Sequence, residues 1–479
     1  MSRDPLLDAF DRRLREEPSA PMVVGGSRCV SVAEIDHWAA EIGRRLTAAV
    51  GAQRGPIAVS VANGPGFPSA LLALRRSSRA AILVDHRTPG AERAQIAREL
   101  GAVAGLDLRQ PWPVDGNDIT IEPWADGPRS VAEIDPDIAV IKLTSGSTGT
   151  PRGILTPSAA LVADEAALTR SMELLDDERI LAAIPMSHSY GLSSVVLPAL
   201  VRRAVLVVPT GDNPFAPMVA ARVHDVTFMP TVPAFLQVLV RMKSPPPAPR
   251  SLRRVISAGA PLASSTARRF RELYGQPVHV FYGASECGGI TYDREGSAAE
   301  RGTLGTPVDG VELTLETTGT VTVRSPAVAR GMVPQTDAVL TDGIFRTRDL
   351  GTWQDGELVL EGRLDDLINV KGKKVHPREV ERVLTRHPSV DDALVLGVPT
   401  DGEEIVVRAF VVLAGGAMRG EDADEGAMVE VLHAWCRERL AGHKLPRRMT
   451  VVAAIPRTSR GKPDRRRLLA LVAQSDPAA

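Results

Sequence analysis

The chain has 479 residues, 44% of them hydrophobic, and its 57 Lys and Arg nearly balance 58 Asp and Glu, for a formal net charge of −1. That length suits about two or three domains with ample core, and the balanced charge gives no reason to expect a nucleic-acid or membrane partner. Three cysteines (Cys29, Cys287, Cys436), no apolar signal run in MSRDPLLDAF and no ~20-residue apolar stretch make a soluble cytoplasmic protein without disulfides the expectation.

Up to about residue 360, short apolar runs alternate with polar loops and amphipathic helices. Residues 138–143 form such a run and lead into a Gly/Ser/Thr loop, after which Thr156-Pro157 reads as a helix N-cap with Pro at the first helical position. The pattern returns at 179–185, 205–209 and 226–230. Residues 254–257 lead through Ala258-Gly259-Ala260-Pro261 into a helix at 264–274, and 278–282 lead into Gly283-Ala284-Ser285. Strands alternating with helices predict a mostly parallel, doubly wound sheet covered on both faces, which binds ligands beyond its strand C-termini. From Asp309 the texture changes: 311–316 and 321–323 alternate apolar and polar, with turn signals at 317–319, Asp342-Gly343 and Asp355-Gly356. A barrel-like subdomain over 309–361 is predicted. Helices at 377–386, 426–440 and 464–473, with strands at 390–398, 405–413 and 449–455 and a polar loop at 415–425, predict a compact α+β unit.

The most informative loop is Leu143-Thr-Ser-Gly-Ser-Thr-Gly-Thr-Pro-Arg-Gly153. Gly146 and Gly149 free the backbone to aim N–H groups inward. Thr144, Ser145, Ser147 and Thr148 add hydroxyls, and Arg152 adds a fixed positive charge. Such donors, without carboxylates, suit phosphate oxygens, although GxxxxGK[ST] is absent.

This loop resembles the TSGSTGxPKG motif of the adenylate-forming superfamily: acyl- and aryl-CoA synthetases, peptide-synthetase adenylation domains and luciferases. Arg152 stands in place of Lys. Further segments resemble the family's motifs in order: Ser257–Leu262, Phe281–Glu286, Gly302–Pro307, Phe345–Leu350, Gly362–Asp365 and Pro456–Lys462. The resemblance implies that Gly259, Ala260 and Pro261 pack on adenine with Tyr282 stacked on it, beside Gly283 and Ala284. It further implies that Ser285 contacts phosphate, Glu286 holds Mg²⁺, Asp349 and Arg363 bind ribose, and Lys462 is the catalytic lysine. The same resemblance makes Asp365 the hinge between a large domain, 1–364, and a small mobile domain, 365–479, whose second face carries Lys371 and Gly372.

The expected reaction is activation of a small carboxylic acid by ATP as an acyl-adenylate, with transfer to an external acceptor. CoA is the first choice; a carrier-protein thiol, an amine or another nucleophile remain alternatives, since no carrier domain follows Lys462. His188, in Pro185–Leu192, resembles the acid-binding histidine of acyl synthetases, and no Asp stands there to pair with an α-amino group. Phe281, with His188 and Gly283, forms the expected acyl pocket. A phenyl ring there narrows it and favours a small or aromatic acid. Arg152, Arg348 (a usual Gly) and Asn369 (a usual Lys) depart from the family pattern and leave a second class open, a non-catalytic nucleotide- or acyl-binding protein of the same fold. Outside its context Glu286 would read as an ordinary carboxylate, Lys462 as a surface lysine and Cys287 as packing.

Overall fold

The computed structural model describes residues 4–108, 112, 118–124, 134–145, 151–211, 213–334, 340–370, 373–399, 405–414, 423–457, 463–465 and 467–470, the side chains of Ser145, Pro151 and 423–425 excepted. The first helix, Pro5–Glu16, begins where Asp4 accepts hydrogen bonds from the Leu6 and Leu7 N–H groups at 3.0 and 3.2 Å. The other Asp4 oxygen accepts from Arg75 and from Ser158, each at 2.7 Å, and so fastens this helix to two more. Val32–Val50 starts on a Ser31/Glu34 capping box, and its apolar residues every three or four positions (Val32, Ile35, Ala39, Ile42, Leu46, Val50) form one buried face.

Two large sheets organise the N-terminal domain. The first runs, in spatial order, Thr306–Pro307, Gly288–Tyr292, His279–Ala284, Arg254–Ser257, Phe228–Thr231, Arg179–Leu181, Val205–Val207, Pro21–Gly25, Arg28–Ser31. Its inner pairings are parallel and its outer ones antiparallel. The second runs Gly331–Val333, Pro151–Pro157, Ile138–Ser145, Ala81–Leu83, Ile57–Val61, Ala104–Leu108, Thr120–Pro123, again parallel at the centre. One core contains residues of both sheets, Val59, Leu83 and Val140 with Val23, Ile180 and Leu206. The helix Gly66–Arg76 is buried from Gly66 to Arg75, as expected of a helix covered on all sides.

A five-stranded antiparallel sheet follows: Glu312–Leu315, Thr320–Arg324, Ile344–Gln354 and Leu340–Thr341, with Glu357–Arg363 also on Ile344–Gln354. Its two Asp-Gly turns hold positive φ at both residues (47° and 78°, 51° and 80°), the conformation a two-residue hairpin turn requires. The smaller C-terminal domain has a three-stranded sheet, Val390–Pro399, Ile405–Leu413 and Arg448–Val451, and helices Pro377–Thr385 and Ala423–Arg437. Its main core cluster runs from Ile368 to Met449.

Several local expectations need correction. The helix expected to start at Pro157 with Thr156 as its cap starts one residue later: Ser158–Met172 has Pro157 at its N-cap, and Thr156 belongs to the strand Pro151–Pro157, paired antiparallel with Ile138–Ser145. The candidate phosphate loop therefore joins two strands, because 153–157 completes a ladder that a helix would leave unpaired. The strand expected from 226 starts at Phe228, and the one expected to reach 455 ends at Val451. The helix placed at 426 starts at Ala423, so the polar stretch 415–425 is partly helical, with 415–422 outside the described residues.

Candidate active site

The C-terminal ends of the parallel strands of both sheets meet along one seam, and three side chains, those of Asn63, Asp85 and Lys142, cross it. Asn63 follows the strand Ile57–Val61. Its amide N–H group donates to the Ala182 and Ile184 carbonyls at 3.0 and 2.8 Å, and its oxygen accepts from Met186 N at 2.9 Å. Asp85 follows the strand Ala81–Leu83, which pairs in parallel with the strand ending in Thr144-Ser145, and its carboxylate lies 3.2 Å from His188 Nε2. Lys142 Nζ donates to the Ser285 carbonyl at 3.4 Å, and Ser189 Oγ donates to Ser285 Oγ at 2.7 Å. Tyr190, next in the same loop, donates its hydroxyl to the Thr231 carbonyl at 3.1 Å and accepts from Thr231 N at 3.2 Å. The loop 182–191 is thus held from both sheets. Asn63→Ala removes three of these bonds and is expected to lower stability by about 1–3 kcal/mol. Denaturant unfolding would check this, and adenylation should fall with it as the loop loosens.

Burial and charge shape the groups around this seam. Lys142 is buried, which lowers its pKa, while Asp164, Cys287 and Glu286 act in the opposite direction. Burial works against ionisation of Asp85, but hydrogen bonds from His188 and Arg87 outweigh it and hold the carboxyl well below the usual carboxylate range. Cys287 is fully buried and its thiol is pushed well up by burial, with Glu286 adding to the effect, so it packs and does not react.

On the other side of the seam, Tyr282 donates its hydroxyl to Asp349 at 2.5 Å, and Arg363 Nε lies 3.2 Å from the second Asp349 oxygen. The strand register sets Asp349 opposite Arg363. Burial, then the Asp349 charge, raises the Tyr282 pKa well above that of a free phenol, so the hydroxyl stays a donor. Gly283 sits where a Cβ would come within 2.7 Å of the Gly288 carbonyl oxygen, so only glycine fits this hairpin. Ala284 ends the strand, and Ser285 and half-buried Glu286 occupy the turn that follows. Phe281 is buried with its ring 5.9 Å from that of Tyr190. Gly259 has φ +84°, a left-handed conformation that explains glycine in the turn Gly259-Ala260-Pro261 after the strand Arg254–Ser257. Arg152 is paired opposite Thr144.

The structure thus brings Thr144, Arg152, His188, Phe281, Gly283, Ser285 and Glu286 to neighbouring strand ends and gathers Tyr282, Asp349 and Arg363. Gly146, Ser147, Thr148, Gly149, Lys371, Gly372 and Lys462 lie outside the described residues. Arg348 needs no glycine-like turn: it lies within the strand Ile344–Gln354, and its guanidinium pairs with Asp365. Sequence reasoning missed Asn63, Asp85 and Lys142. A lysine inside the apolar run 138–143 and an Asp-His-Arg triplet directly after a strand were the available signals.

The family model "AMP-binding enzyme" matches residues 10–333, and "AMP-binding enzyme C-terminal domain" matches 379–462. The chain belongs to the AMP-binding enzyme family. It is an AMP-forming ligase that activates a carboxylic acid with ATP as an acyl-adenylate and passes the acyl group to an external acceptor. Among similar proteins, a feruloyl-CoA synthase from Amycolatopsis sp is 28% identical over 94% of this chain and 96% of its own length. A 2-succinylbenzoate–CoA ligase from Geobacillus kaustophilus is 32% identical over 71% of this chain and 70% of its own. An amide bond synthetase from Marinactinospora thermotolerans superposes with a TM-score of 0.80 at 26% identity, covering 98% of this chain and 100% of that one. No helix among the described residues is long and apolar enough to cross a membrane.

Proposed function

We propose that the acid is small or aromatic, that the acceptor is CoA, and that Mg²⁺ accompanies ATP at Glu286. The observation that carries the acid assignment is Phe281, buried against Tyr190 beside the His188 loop: its ring occupies volume that a long acyl chain would need. The curated relatives named for feruloyl-CoA and 2-succinylbenzoate support the same class and the same acceptor.

In the first half-reaction a carboxylate oxygen attacks the α-phosphorus, the bond from that phosphorus to the bridging oxygen breaks, and pyrophosphate leaves. Two anions must approach each other, so positioned cations and N–H donors do most of the work. Arg152 and the backbone of 144–149 would take the phosphates, Asp349 and Arg363 the ribose, and the turn Gly259-Ala260-Pro261 with Tyr282 the adenine. His188 would meet the acid. Glu286, half-buried in the turn after the strand His279–Ala284, would hold the metal, since one carboxylate with phosphate and water ligands is a usual Mg²⁺ arrangement. When bound, Mg²⁺ would neutralise charge on the phosphates. In the second half-reaction the CoA thiol, giving up its proton to solvent, attacks the acyl carbon, the bond from that carbon to the AMP phosphate oxygen breaks, and AMP leaves. The division at 364/365, with Asp365 as pivot, would let Lys462 serve the first step and Lys371-Gly372 the second, so one pocket excludes water in both.

Incubation with ATP, MgCl₂ and a panel of acids, following pyrophosphate, tests this. Release is expected with benzoate- and cinnamate-type acids, and adding CoA should yield the thioester by mass. Best turnover on palmitate would overturn the acid assignment. A second acceptor, an amine, is favoured by the likeness to the amide bond synthetase, and an amide in place of a thioester would select it.

A further inference from the structure

The N-terminal third supplied no recognisable motif, yet one of its carboxylates touches the residue expected to meet the acid. Asp85 Oδ2 lies 3.2 Å from His188 Nε2. The same carboxylate is fixed by Arg87, which donates to Oδ1 from its backbone N at 2.9 Å and its Nε at 3.1 Å, and to Oδ2 from its Nη2 at 2.9 Å. His86 Nδ1 stands 3.6 Å away. The Asp85 side chain is 15% exposed and that of His188 is 26% exposed, so the pair is sheltered without being sealed off from a ligand. His188 is also the residue at which the loop 182–188 becomes the helix Ser189–Gly191, a loop that Asn63 grips three times.

An imidazole that donates from Nε2 has one polar atom left, Nδ1. A carboxylate on the Nε2 side fixes the ring's rotation and tautomer, and a ring placed between two carboxylates must carry a proton on each nitrogen to donate to both. We propose that Asp85 is a positioning residue for acid activation, holding His188 by Nε2 so that Nδ1 is presented to the carboxylate of the incoming acid. This rests on the ligase reading above, and it adds the residue through which His188 acts.

The test is a double-mutant cycle in the adenylation assay with the best acid of the panel. Asp85→Asn keeps the shape and removes the charge. It is expected to raise KM for the acid about 10-fold, the size typical of a lost outer partner, with KM for ATP changed less than about 2-fold. His188→Gln should raise KM for the acid at least as much, and the double variant should match His188→Gln alone, because Asp85 acts only through the ring. Independently of turnover, the ¹⁵N imidazole spectrum assigned by loss in His188→Gln should show an Nε2-protonated ring in the unmodified chain and a tautomer mixture in Asp85→Asn. Additive KM effects, an equal rise in KM for ATP, or a ring spectrum unmoved by Asp85→Asn would overturn the inference while leaving the ligase reading intact. No acid-dependent pyrophosphate release from the unmodified chain would instead overturn the reading on which it rests.

Discussion

Replacing Lys462 by alanine is expected to slow acyl-adenylate formation on the order of 10²–10³-fold, the cost of losing one charged contact to a developing anion. It should leave thioester formation from supplied acyl-adenylate close to the unmodified rate. The asymmetry follows from the proposed pivot: a lysine brought to the phosphates for the first step and withdrawn for the second stabilises only one transition state. Lys462 lies outside the described residues, but the flanks of its loop are firmly placed. Arg457 and Pro463 form a β-bridge across the base of the loop, Arg457 binds Asp392 at 2.7 Å, and Arg465 binds Asp366, next to the pivot, at 2.7 Å. These contacts tie both flanks to the C-terminal domain, so rotation near Asp365 would carry them with it. Pyrophosphate release and thioester formation, each measured from its own starting material, separate the two steps. Equal losses in both would refute the alternation.

Arg348 bears on the same motion. It replaces a usual glycine, and its guanidinium pairs with Asp365, the proposed pivot. Both side chains are exposed, so the pair adds little to stability in water, and its loss would leave the fold as it is.

Legibility of the fold differed between its parts for physical reasons. Strand and helix alternation was readable because each parallel strand is a short apolar run bounded by polar turns, as at 254–257 and 264–274, where the structure agrees residue for residue. The strand Pro151–Pro157 was missed, and the helix start placed one residue early, because Pro after Thr looks the same at a helix start and at the end of a strand that runs directly into one. Only the partner strand, distant in its hydrogen bonding from any local signal, decides between them. The grouping of Tyr282 with Asp349 and Arg363 was legible as motifs, but their mutual contacts were not, since the bond between Tyr282 and Asp349 spans 67 positions. Asn63 gave no signal for a similar reason, and Asp85 only the weak one of its Asp-His-Arg triplet. Each is an ordinary polar residue after a strand, and its meaning comes from the second sheet packed against the first.

Asp349→Ala is expected to raise KM for ATP by on the order of 10²-fold or more, because a carboxylate that accepts from two ribose hydroxyls loses two charge-assisted bonds of about 1.5–3 kcal/mol each. The free protein feels the change too. Tyr282 is held by Asp349 at 2.5 Å, and truncation leaves a half-buried phenol without that acceptor, a cost of about 1 kcal/mol or more. Arg363 loses its partner at the same time, but it is 44% exposed and water can replace much of that contact. The two consequences are separable with a second variant. Tyr282→Phe removes the hydroxyl and leaves Asp349 free to meet ribose, so it should cost comparable stability with a KM change below about 10-fold. If Asp349 is only a structural acceptor for Tyr282, the two variants will shift unfolding and KM for ATP in parallel. If Asp349 binds nucleotide, only its removal will produce the large KM effect, and isothermal titration with AMP will show the same gap in affinity.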